Sequence, residues 1–318
     1  MEITLVSPAV APAQRFSDFQ YNRDAMLAES TSSITPSISY FVGRPEFLLF
    51  CDSGMSTHFT PKNVLDVQYL ISEASRLLNQ GCESPIFAEN QLKKLTIGFN
   101  FVRLDTENVK TFEKVGQTEF MDVIEYYFLT TTKWILHFEE FQKLDRSIQV
   151  RLSLLLASTH LMTLVQTIWY VWIKIHKCVS TIAYRKAHPN VCSTYKVLRN
   201  HVLDRKKGGL DTSWISDFPE EYVSKYMLSQ HMYDFDIMNI IEQLDLSDVE
   251  LTYMFAQICF EYAGKRFPGE IQNITDHFQQ ILSNDLHEFY VTDQRRNRYS
   301  HRLNELMKVN SLIQVSSK

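Results

Sequence analysis

Nine glycines and nine prolines are few for a chain of 318 residues. All-β chains need both residues at their many tight turns, so the shortage favours long helices with short connections. Cysteine is thin and scattered. Cys51, Cys82, Cys178, Cys192 and Cys259 are odd in number and never form a CxxC pair. A disulfide framework and a structural zinc site both need clustered ligands, so neither is expected and the thiols read as free. Basic charge is in deficit, with a formal net charge of −5. That leaves no general attraction for nucleic-acid phosphates. The basic runs Arg205-Lys206-Lys207 and Arg295-Arg296 are too short to form a patch. The start, MEITLVSPAVAPAQRF, has no basic residue ahead of a continuous apolar run, which argues against a secretory signal. Motifs of catalysis are missing as well: there is no GxGxxG, GxxxxGK[ST], HExxH or GxSxG. The expectation is a protein that is not an enzyme, with no metal site and no cofactor.

What is present is apolar and periodic. Hydrophobic residues make up 45%, enough at this length for a sizeable core. Residues 1–39, rich in Ser, Thr, Pro and Ala, read as a flexible leader. A helix is expected over 61–81, where Val64, Val67, Leu70, Ile71, Ala74, Leu77 and Leu78 share a face, Pro61 suits the first turn and Gly81 the exit. A weaker pattern covers 85–103, a long helix 117–144, and an apolar run continues to about Tyr184. The polar stretch 187–214 reads as looped, with room for a short strand pair or helix. Further helices are expected at 219–230, 234–244, 247–264, 268–291 and 296–313. The fold class is all-α, one domain after the leader.

Two segments invite sharper readings. HFEEF at 137–141 places His137 beside Glu139 and Glu140. A metal site could use His137 with Glu140 at i+3, but a second ligand pair would be needed, and His176 and His277–Asp285 have no matching motif. The favoured reading is a helix whose stripe of Trp134, Phe138, Phe141, Leu144, Ile148 and Leu152 is core and whose Glu139, Glu140, Lys143 and Arg146 face water. Residues 152–173, LSLLLASTHLMTLVQTIWYVWI, carry no formal charge. They are long enough to span a bilayer, although His160, Gln166 and several hydroxyls make a membrane-associated protein the lesser alternative.

The stripe has a further property. Phe141-x-x-Leu144 followed by Gln149 and Leu152, with Trp134 seven residues ahead, resembles the signature of the nuclear hormone receptor ligand-binding domain, and most closely its expanded nematode branch. Segments similar to GRPEFLLFCD (43–52), DVQYLISEASRLLNQGCESPIFAENQLKKL (66–95) and FLTTTKWILHFEEFQKL (128–144) occur there in this order. LVQTIWYVWIKIHK (164–177) resembles the central helix around Trp169, and DLHEFYVTDQRRNRYSHRLNELMKVNSLI (285–313) the last long helices.

The resemblance covers 40–318 and implies a three-layer helical sandwich around a lipophilic pocket, acting in transcription regulation in the nucleus. It implies ligand contacts at Met121, Ile124 and Tyr127 on the signature helix and at Tyr170 and Ile173 on the central one. Trp134, Phe141, Leu144, Gln149, Leu152 and Trp169 become packing residues. Partners implied are a small lipophilic ligand, transcriptional cofactors, and another nuclear receptor or a second copy as dimer. A stripe of Tyr299, Leu303, Leu306 and Met307, with Leu312, is the candidate dimer surface, and it reads equally well as the domain's own core helix.

Departures from the family pattern shape the expectation. No zinc module of CxxC spacing precedes the domain, so direct DNA contact is not implied. Leu136 stands where the family has the lysine of its cofactor groove, Ile148 replaces an acidic residue, and NSLIQVSSK offers no acidic-hydrophobic activation helix. Activation by ligand-dependent coactivator recruitment is therefore not expected. Counting forward through the signature and back from Trp169 leaves about a dozen extra residues near 153–164. At roughly 100° per residue these would rotate the following face by about 120°, so a loop or break is expected there. A ligand-independent scaffold of the same fold is the runner-up.

Overall fold

The structure, a computed structural model, describes residues 68–82, 86–103, 106–144, 154–191, 194–198, 200–204, 208–214, 220–221 and 235–316. The leader, Gln149, Leu152 and most of the helix expected at 219–230 lie outside the described residues.

Eight helices of 10 to 34 residues are described: α1 (Gln68–Gln80), α2 (Gln91–Phe101), α3 (Gln117–Ile135), α4 (Leu154–Ala187), α5 (Phe235–Leu244), α6 (Asp248–Arg266), α7 (Glu270–Glu288) and α8 (Ser300–Ser316). A single π-helical turn, Phe289–Asp293, follows α7 without a break. The helix ends are capped by local side-chain and backbone bonds. Asn90 accepts from the Lys93 N–H at 3.0 Å to open α2. Ser247-x-x-Glu250 opens α6 as a reciprocal box, Ser247 N–H donating to Glu250 Oε2 at 3.0 Å and Glu250 N–H to Ser247 Oγ at 3.3 Å. Gly81, at φ +73°, closes α1 in left-handed backbone and donates its N–H to Leu77 O at 3.0 Å.

α4 and α6 form the inner layer. α6 is buried all round from Glu250 to Phe260, packed by α2, α4, α7 and α8. α4 lies against α6 on one side and against α3 and α1 on another. The order α3, then α4 with α6, then α7 gives three layers. Burial of Leu164, Val165, Gln166, Thr167, Ile168 and Trp169 in unbroken sequence shows why this run looked membrane-like: a helix enclosed by protein also needs an apolar circumference. Among the described residues no helix is long and apolar enough to cross a membrane.

Two expectations need correction. The long helix at 117–144 is two: α3 ends at Ile135, residues 136–137 form a turn, and helix resumes over 139–144. Phe138 sits in the break yet is fully buried, against Phe278 at 4.8 Å and Phe260 at 5.9 Å between ring centroids. The apolar period therefore carries on through a turn that the pattern alone cannot reveal. No loop or break interrupts 154–164, because α4 runs continuously from Leu154 for 34 residues. The fold is all-α with a few short strands, one hairpin of them within 187–214, where a strand pair had room. A three-stranded sheet orders β1 (Lys110–Phe112), β4 (His201–Asp204) and β3 (Thr194–Leu198), and β2 (Lys114–Val115) pairs with β5 (Gly209–Leu210). β1 and β4 are parallel with Phe112 opposite Leu203, and the β3–β4 hairpin is antiparallel.

One contact explains a glycine. A Cβ on Gly98 in α2 would stand 2.4 Å from His137 Cδ2 and 2.8 Å from Cγ. Gly98→Ala should therefore cost about 1–3 kcal/mol by overpacking, against the roughly 1 kcal/mol that alanine gains in a helix. Urea midpoints check this, and His137→Ala in the same chain should recover most of the loss. A fully additive double variant would show that the clash is absorbed elsewhere.

Candidate ligand-binding interior

α3 and α4 meet through a cluster of aromatic rings. Tyr127 on α3 meets Trp172 at 6.0 Å and His176 at 5.6 Å, both edge-on, and Trp172 stacks on His176 at 4.3 Å with 16° between planes. Trp134 at the end of α3 adds a contact to Trp172 at 6.2 Å and ties α3 to α2 by donating its indole N–H to Leu95 O at 3.3 Å. Phe99 and Phe255 close the cluster, 4.9 Å apart.

Its electrostatics are set by burial. The His176 imidazole is pushed down to about 3 because its charged form would be desolvated. It is neutral at physiological pH, and Nε2, 3.2 Å from the Val102 carbonyl, carries the proton, leaving Nδ1 to accept from Ser180 Oγ at 3.4 Å. Lys177, also buried, is lowered to about 8 by desolvation, its ammonium 5.4 Å from the Tyr127 ring centroid. The Trp172 indole N–H is buried with no hydrogen-bond acceptor among the described residues. An orphaned buried donor costs about 1–3 kcal/mol, so an acceptor brought to that atom would be bound favourably.

Of the residues expected to contact ligand, Met121, Ile124 and Tyr127 are buried on α3, and Ile173 on α4 is half-buried. Tyr170 falls on α4, its side chain outside the described residues. Trp172, His176 and Lys177 complete the buried cluster and were not singled out for it from the sequence, although Trp172 and His176 lie four residues apart on one helix.

The packing residues Trp134, Phe141 and Trp169 are buried, and Leu144 is partly buried against the same core. HFEEF divides. His137 leaves the helix at the turn, with Nδ1 3.3 Å from Cys82 Sγ, and burial lowers its pKa. Glu139 pairs with Lys94 of α2 and, through Gln91, cross-links the segment to α2: it accepts from Gln91 Nε2 at 3.1 Å while its own N–H donates to Gln91 Oε1 at 3.0 Å. Glu140 pairs with Lys143 at 2.5 Å. Among the described residues no group of three or more His, Cys, Asp or Glu could hold a metal ion. On α8, Leu306 is buried in the domain's own core with Val309 and Ile313, Leu303 is half-buried against it together with Tyr299 just ahead of the helix, Met307 is half-buried, and Leu312 is exposed. Leu306 is thus not offered to a partner in this conformation.

A layered helical body with an aromatic interior between an outer and the central layer is consistent with a ligand-binding domain. The family of ligand-binding domains of nuclear hormone receptors matches residues 105–318. Three relatives from Caenorhabditis elegans extend the likeness. Nuclear hormone receptor family member nhr-115 is 58% identical over 94% of this chain and 73% of its own length. Family member nhr-125 is 41% identical over 94% and 71%, and nhr-130 is 34% identical over 93% and 68%. No solved structure matches the chain. The chain belongs to the nuclear hormone receptor family, whose members are generally non-enzymatic, ligand-regulated transcription factors.

Proposed function

We propose that this chain is a ligand-responsive regulator of transcription, acting in the nucleus, whose ligand is a small lipophilic molecule held between α3 and α4. The observation that carries it is the buried cluster of Tyr127, Trp172 and His176, in which the Trp172 N–H has no acceptor among the described residues. Pockets for such molecules are mostly apolar with a few fixed polar groups that set orientation. Met121, Ile124, Tyr127, Tyr170 and Ile173 supply the apolar contacts, and Trp172 donates to one carbonyl, ether or hydroxyl oxygen of the ligand. The regulator acts through cofactor binding or dimerisation, with another nuclear receptor or a second copy. The part of α8 left for a partner is its outer side around Leu312 and Met307.

Native mass spectrometry of the purified chain tests this. A discrete added mass of a lipid, lost on filling the space by Ile124→Trp while helicity and cooperative melting persist, is the expected result. A bare chain after exposure to a lipid extract would reject it. That outcome favours a second reading, a ligand-independent interaction protein, for which the complete burial of Tyr127 and Trp172 speaks because large rings can fill such a space themselves.

A further inference from the structure

Cys82 and His137 lie 55 positions apart in the sequence, yet Cys82 Sγ stands 3.3 Å from His137 Nδ1. Backbone geometry brings them together. Gly81, in left-handed backbone at φ +73°, turns the chain off the end of α1, and the turn at 136–137 carries His137 off the end of α3. One side chain braces both halves: Gln142 donates to the Leu136 carbonyl, and its Oε1 lies beside Gly81. The imidazole is held on another side too, because its ring fills the space that a Cβ on Gly98 would need. Both partners are half-buried, and Cys82 is in no disulfide. Cys178 and Cys259 differ. They are buried in the core, and desolvation pushes the Cys259 thiol well above its usual range. Burial lowers His137 in turn, so its imidazole is neutral at physiological pH, and with its proton on Nε2 it accepts from the thiol at Nδ1. Beside the pair, Phe101 at the end of α2 is 70% exposed with its ring 6.2 Å from the His137 ring. Ile97, one turn earlier on α2, is exposed as well.

We propose that Cys82 is a site of oxidation by lipophilic hydroperoxides, with His137 as its proton carrier. A nucleophilic thiol is served by a base within hydrogen-bond reach whose own orientation is held, and both conditions are met here. The sulfur attacks the terminal oxygen of the hydroperoxide, and the S–O bond forms as the O–O bond breaks. The thiol proton passes to Nδ1 and from there to the leaving alkoxide. The products are a sulfenic acid on Cys82 and an alcohol. Sulfur gives up two electrons, the peroxide takes them, and His137 ends as it began. Phe101 and Ile97 offer the oxidant's hydrocarbon part a resting place that hydrogen peroxide cannot use. None of this depends on a ligand between α3 and α4, so the two readings fail separately.

The full chain, reduced and then given a limiting amount of cumene hydroperoxide with dimedone as the sulfenic-acid trap, is mapped by peptide mass spectrometry. Cys82 should carry more of the dimedone adduct than the other four of the five cysteines together. Adduct spread evenly, or gathered on another cysteine, overturns the proposal with no variant needed. His137→Asn keeps an acceptor near the position of Nδ1 but is no base, and it should slow the oxidation about a hundredfold. Alkylation by iodoacetamide expels iodide, which needs no proton, so the same variant should slow that reaction far less. Equal slowing of both reactions would mean that His137 only governs access to the sulfur, and would overturn its role as proton carrier. Cumene hydroperoxide should outpace hydrogen peroxide on the native chain, and the exposed change Phe101→Ser should remove that preference. A native chain that shows no such preference overturns the assignment of a lipophilic oxidant.

Discussion

Arg302→Ala should destabilise the domain by about 3–5 kcal/mol, the cost of leaving a buried carboxylate without its cation. Glu250 is 6% exposed and sits in the first turn of α6. It accepts from Arg302 Nε at 2.7 Å on one oxygen and from an Arg302 terminal nitrogen at 3.1 Å on the other, and from the Tyr290 hydroxyl at 2.7 Å. The same carboxylate caps α6 through Ser247. Arg302 reaches on to the Asp245 carbonyl at 3.3 Å, so α6, the π turn and α8 meet at one group. Burial alone would raise the Glu250 carboxyl, but Arg302, the Ser247 N–H and the two hydroxyls overcome it and hold the value at about 2. A folded value below the ordinary 4.5 means the contribution is complete above pH 4.5 and fades as pH falls toward about 2. Denaturant titrations at pH 7 and pH 3 should therefore differ more for the native chain than for Arg302→Ala. Arg302→Lys should recover only part of the loss, because an ammonium cannot bridge both oxygens. A loss under 1 kcal/mol for Arg302→Ala would mean that solvent reaches the carboxylate.

Trp134→Ala should cost about as much, roughly 3–5 kcal/mol, with Phe141→Ala in the same range. Trp134 is fully buried where α3 meets α2 and α4, and its removal forfeits the Trp172 contact, the bond to Leu95 and the largest side chain at the junction. Leu144, only partly buried, should cost less than a fully enclosed leucine. The two glutamates of HFEEF act as internal controls. Glu140→Ala should stay within roughly 0.5 kcal/mol, since its pairing with Lys143 is a near-surface one. Glu139→Ala should cost about 1 kcal/mol through the lost ties to Lys94 and Gln91. Equal losses for Glu140 and Trp134 in a urea series would overturn the surface assignment.

Helix identity was readable where an apolar face ran for three turns or more, as in α1 and α7. It failed where periodicity and backbone part company. Phe138 keeps the stripe in phase across a non-helical turn, so 117–144 looked continuous. β1 and β2 span three and two residues, too short for alternation to register, and they exist because β4 and β5 lie some ninety residues downstream to pair with them. Glu250 with Arg302 was invisible for the same reason: 52 positions separate the partners. The ties of the exposed Glu139 to Lys94 and Gln91 were invisible because a helical wheel shows one helix, not the neighbour that another segment brings alongside.

α4 has a mechanical consequence. Thirty-four helical residues make a strut about 50 Å long at 1.5 Å per residue. Its midsection carries Trp172 and His176, and its far end is latched to the hairpin, with Arg185 Nε donating to Thr194 O at 3.3 Å and its guanidinium 5.1 Å from the Tyr195 ring centroid. A tilt of about 2° along such a rod displaces one end by roughly 2 Å relative to the other. A molecule that wedges the rings apart by less than its own width would thus be felt at β3 as leverage, with no relay of side chains in between.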